Sequence, residues 1–98
     1  MPAELPVPPG ANSDRNACEL VRAWAAHGGL QCSLDVDVFP EEHALIGWGI
    51  LLSDIARHVA DALYQRKHVD KTQTLSEIRA VFNSELNSPT AETQGKFT

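Results

Sequence analysis

The chain has 98 residues, 43% of them hydrophobic and 21% charged, the make-up of one small globular domain and too apolar for a disordered chain. Its formal net charge of −5 argues against nucleic acid as a main partner, because phosphate binding needs clustered Lys and Arg to displace counterions. The longest apolar stretch, Ala44 to Leu52, is far shorter than the roughly 20 residues of a membrane-spanning helix, so no membrane partner is expected.

Met1 to Gly10 has neither the basic start nor the apolar segment of a secretory signal, and a cytoplasmic location is expected. Residues 1–16 are rich in proline and end in a Gly-Ala-Asn-Ser-Asp cluster, which predicts an extended arm. Leu5 and Val7 within it could still dock on the domain.

A single α+β domain is predicted over residues 17–87. Leu30, Cys32, Leu34, Val36 and Val38 alternate with polar residues, the period of a half-buried strand. Its backbone needs a partner, and Ala17 to His27 lies just across Gly28-Gly29, a pair suited to a two-residue hairpin turn. That register sets Arg22 opposite Asp35 and puts Cys18 and Cys32 on opposite faces. Leu20 and Trp24 fall on the second face. The competing reading of 17–27 is a helix, with Asn16 as its cap and Gly28 as its stop. Cys18 and Cys32 lack the spacing of a zinc site or a disulfide framework and are expected to be buried thiols.

Phe39-Pro40-Glu41-Glu42 marks a helix start, with acidic residues at the positive end of the helix dipole. Leu45, Trp48, Leu52, Ile55, Val59 and Leu63 then recur at three- and four-residue intervals, a stripe expected to pack on the sheet. Gly49, Ser53, Ala56 and Ala60 form an adjoining strip where another element can approach closely. After a break at His68 to Lys71, Thr74 and Glu77 match a capping box and open a shorter helix through Leu75, Ile78, Phe82 and Leu86, with Asp70 and Gln73 offering an earlier start. The basic cluster of Arg66, Lys67, His68 and Lys71 suits a solvated helix end. The polar residues 88–98 predict a disordered tail. The fold expected is a ββαα arrangement, an N-terminal β-hairpin followed by a long and a shorter helix, completed by dimerisation.

The run VRAW followed by GGLQCSL within Leu20 to Leu34, the segment WGILLSDIARHVADAL from Trp48 to Leu63, and LNSPT from Leu86 to Thr90 resemble a family of short bacterial proteins catalogued only as a domain of unknown function. The resemblance spans nearly the whole folded region and implies the same domain limits and a bacterial origin. It implies no catalytic residue. His27 stands where that family carries an acidic residue, which argues against a shared role for it.

Candidate chemistry is sparse. No phosphate-binding glycine loop, nucleophile elbow or zinc-protease motif is present, and Gly47-Trp48-Gly49 lacks the third glycine and preceding strand of a dinucleotide loop. Asp54, Arg57, His58 and Asp61 share one side of the long helix, where Asp54 could orient His58 as a base or metal ligand. With Trp48 they form the candidate site for a small molecule or metal, in a binding protein or small enzyme. The ordinary alternative is a solvated flank, with Asp54–His58 and Arg57–Asp61 pairs. No catalytic residue, cofactor or metal is assigned. The main expectation is a non-enzymatic homodimeric interaction or regulatory protein, its interface formed by Ile46, Ile50, Leu51 and Trp24, with an unidentified protein as a further partner.

Overall fold

The alternating residues on either side of Gly28 form a hairpin. In the computed structural model, which describes residues 3–97, β1 (Val21–Ala26) and β2 (Gly29–Leu34) pair antiparallel, which sets aside the helix reading of 17–27. The turn is made by His27 and Gly28, with φ of 53° and 74°. Both central residues of a type I′ turn must be left-handed, and histidine enters that region more readily than most side chains. The turn therefore lies one residue earlier than expected, Gly29 begins β2, and Arg22 stands opposite Ser33 and not Asp35. Because the partners slip by an even number of positions, each side chain keeps its expected face. Val21, Ala23 and Ala25 share the apolar face with Leu30, Cys32 and Leu34, while Arg22 and Trp24 occupy the other.

β2 stops at Leu34, short of the expected Val38. There the Asp35 N–H still donates to the Leu20 carbonyl at 3.0 Å, one step further along the same register, and the Val38 N–H then donates to the Asp35 carbonyl at 3.3 Å, which turns the chain out of the sheet. Cys18 and Cys32 are both free, but Cys18 is exposed, against the expectation of burial.

A 3₁₀ turn, Glu41–His43, follows Pro40 and leads into the long helix α2 (Ala44–Lys67). α2 ends on His68, held left-handed at φ 57°, whose N–H donates to the Tyr64 carbonyl at 3.0 Å. A non-glycine residue thus performs the usual glycine stop. The second long helix, here α3 (Lys71–Asn87), starts on the earlier of its two signals: the Asp70 carboxylate accepts from the Gln73 N–H at 2.9 Å. Thr74 is consequently not a cap. It is buried, and its hydroxyl donates to the Asp70 carbonyl at 3.0 Å.

The two helices pack as a hairpin where the small-residue strip predicted an approach. Ala60 is only 1% exposed and Ala56 is half-buried. Across this junction the Lys71 ammonium reaches Asp61 at 3.2 Å and lies 5.1 Å from the centre of the Tyr64 ring.

Two terminal segments differ from expectation. The proline-rich arm contains a single helical turn, α1 (Pro9–Ser13), with proline at its start. The tail expected to be disordered carries a strand, β3 (Gln94–Phe97), which runs parallel to β2 in a sheet of order β1-β2-β3. Gly95 faces Cys32 in that pairing at φ 136°, and a Cβ there would sit 1.8 Å from the Cys32 carbonyl oxygen, so glycine alone fits. Read from sequence, that glycine signals only a loop.

The larger departure concerns packing. Among the described residues, no strand packs against either long helix, so the stripe expected to lie on the sheet does not do so within this chain. The radius of gyration is 15.2 Å, against about 13 Å for a compact domain of this length. Also among the described residues, no helix is long and apolar enough to cross a membrane.

Candidate functional site

The most prominent surface follows from that open packing. A folded monomer of this mass exposes about 5,500 Å² by the usual scaling of surface with size. This chain exposes 8672 Å². Much of the excess is apolar. Leu45 is 90% exposed and Ile55 49%, and Leu52 and Val59 on the same stripe are also exposed. α3 adds Val81, Phe82 and Leu86, and the sheet adds Leu30. Exposed apolar side chains in this number point to a contact surface.

The residues expected at an interface do not coincide with the exposed α2 stripe. Ile46 and Ile50 are 66% and 55% exposed, whereas Leu51 and Trp24 are half-buried. The larger exposed area is the α2 stripe itself. Sequence periodicity finds such a stripe without revealing whether the chain supplies its cover.

The polar candidate site comes apart into separate contacts. Trp48 packs edge-on against Phe39, with ring centres 5.5 Å apart and planes at 89°. Asp54 pairs with Arg57, not with His58. Asp61 pairs with Lys71 of α3, not with Arg57. His58 is exposed. Among the described residues, no group of three or more His, Cys, Asp or Glu side chains converges as a metal site.

A concavity lies between the arm and β1. It has a volume of about 550 Å³ and is lined by Leu5, Val7, Cys18, Arg22 and Trp24 among others. Arg22 holds it together, donating from Nε and Nη2 to Glu19 Oε2 at 3.2 and 3.0 Å and from Nη1 to Glu4 Oε2 at 3.1 Å. Its guanidinium also lies 5.9 Å from the centre of the Trp24 ring. Hydrogen bonding to Glu19, with the charges of Glu19 and Glu4 behind it, holds Arg22 above its ordinary range. The cation is thus already neutralised by the chain's own carboxylates. The arm is fastened by charge and not by apolar docking, since Leu5 remains 93% exposed.

The family profile for the domain of unknown function DUF5076 matches residues 4–90. The chain belongs to this family. The DUF5076 chain is also similar to a solved structure from the photosynthetic bacterium Rhodopseudomonas palustrus, described as a "putative pyruvate dehydrogenase". The two are 32% identical with a TM-score of 0.69, over 94% of this chain and 91% of the other. No curated protein matches the chain.

Proposed function

We propose that this DUF5076 protein is a non-enzymatic interaction or regulatory protein of the bacterial cytoplasm that works as a homodimer, with a further protein as its partner. The observation that carries this reading is the 8672 Å² of exposed surface, about 3,000 Å² above that of a compact monomer of this mass. Two chains together carry about 6,000 Å² of such excess, the upper end of what an obligate homodimer removes from water in total. Large apolar side chains are worth about 1.5–3 kcal/mol each when fully buried, so a few per subunit offset the entropy lost on association. The polar groups support the same reading. Asp54 and Asp61 of the polar candidate site are each matched to a basic side chain other than His58, so neither is held for a substrate.

Sedimentation equilibrium at micromolar concentration tests the dimer. The expected mass is twice the 10.7 kDa of the chain. Leu52→Asp, on the exposed α2 stripe, is expected to weaken association sharply by bringing an unpaired charge into the contact. Since Leu52 is exposed within the single chain, the substitution leaves the subunit's own packing intact. A wild-type monomer under these conditions would overturn the reading.

A further inference from the structure

Resting on that dimer, we infer how it is built: each copy lays the apolar stripe of α2 on the apolar sheet face of the other. The sheet offers Val21, Ala23, Ala25, Leu30, Cys32 and Leu34 on one face, with no charge among them. A sheet with one apolar face needs a second layer to cover it, and neither long helix of the same chain supplies one. α2 in turn offers Leu45, Trp48, Leu52, Ile55, Val59 and Leu63, again without a charge. The lengths agree. The six-residue strands extend for about 20 Å, and the α2 stripe spans about 27 Å.

The connection between the two faces explains why the chain does not close on itself. At one end of linker 35–43, the Asp35 N–H is bonded to Leu20 and the Val38 N–H to Asp35. At the other end, the His43 N–H donates to the Pro40 carbonyl at 2.9 Å. Between them, the Phe39 ring lies edge-on to Trp48 and directly over Gly47. Both ends are therefore pinned, and α2 is held away from the sheet that precedes it. Short, constrained connections of this kind are where chains exchange elements with a second copy.

Other arrangements satisfy less. Packing α2 on α2 would cover the two stripes and leave both sheet faces in water. Reciprocal exchange covers all four surfaces with one two-fold operation and closes the assembly at two copies. It also lets two chains of net charge −5 meet without burying a charge, because Asp54, His58 and Asp61 project from a different side of α2.

The test is isotope-filtered NMR on a dimer co-refolded from equal parts of labelled and unlabelled chain. Cross-peaks that pass between subunits should link the methyls of Ile55 and Val59 to those of Leu30 and Leu34. A dimer whose intersubunit cross-peaks run only from α2 to α2, or in which the helix–sheet cross-peaks arise within one chain, overturns the exchange and leaves the homodimer standing. A monomer by sedimentation overturns both. Ile55→Asp provides a second measurement: the exchange predicts at least a tenfold weaker dimer with retained helical circular dichroism, and unchanged association contradicts it.

Discussion

Gly47 and Gly49 sit two residues apart in α2 and should respond to alanine in opposite directions. In an exposed helix, replacing glycine with alanine favours folding by about 0.8–1.0 kcal/mol, because alanine loses less backbone freedom. At Gly49 nothing lies within 4 Å of the added Cβ, so Gly49→Ala should gain that amount. At Gly47 the Cβ would lie 2.7, 2.8 and 2.9 Å from three atoms of the Phe39 ring, where ordinary contact begins at 3.4 Å. The ring would have to retreat by roughly 0.5–1 Å, and its edge-on contact with Trp48 would go with it. Overpacking of this kind costs typically 1–3 kcal/mol. The cost exceeds the helix gain, and the net expectation is a loss of about 1 kcal/mol, or roughly 4–8 °C in Tm for a domain of this size. Thermal unfolding followed by circular dichroism, at one fixed concentration because a dimer's Tm depends on it, measures both variants. If Gly47→Ala were as stabilising as Gly49→Ala, the packing of Phe39 over this turn would be refuted.

Asp70→Ala should cost about 1 kcal/mol by removing the cap of α3, with faster hydrogen exchange at the Gln73 amide as its local signature. His58→Ala should change stability by less than about 0.5 kcal/mol, and zinc that co-purifies stoichiometrically and is lost on that substitution would contradict the arrangement described. Both cysteines should react with a thiol reagent in unfolded, non-reduced protein, since Cys18 and Cys32 are free; a chain that titrates no thiols would require a different register of the hairpin.

Local structure was legible in the residues themselves. The alternation after Gly29 identifies β2, the three-and-four spacing from Leu45 identifies α2, and the small residues around Ala60 mark where α3 approaches. The errors have physical causes. Gly28-Gly29 looks the better turn until histidine's tolerance of the left-handed region is weighed. Asp70 and Thr74 both carry capping signals, and only tertiary packing, which buries Thr74, decides between them. Asp54 could reach either Arg57 or His58 by spacing, and the guanidinium takes it. β3 was invisible because a four-residue polar segment with a glycine acquires strand geometry only from its neighbour. The open arrangement of sheet and helices was equally hidden. Periodicity shows that a face must be covered, and it is silent on which molecule covers it.

β3 also has a bearing on solubility. It pairs with the free side of β2, and it lies beyond residue 90, where the family match ends. An uncovered strand edge presents a row of unsatisfied backbone groups that recruits other strands, and proteins guard such edges with charged side chains, bulges or a covering segment. The Gln94–Phe97 strand supplies the cover, and its Lys96 brings a charge to the new edge. A chain cut back to the family limits would expose the Leu30-Gln31-Cys32-Ser33-Leu34 edge, and such a truncation should aggregate at concentrations where the full chain stays in solution.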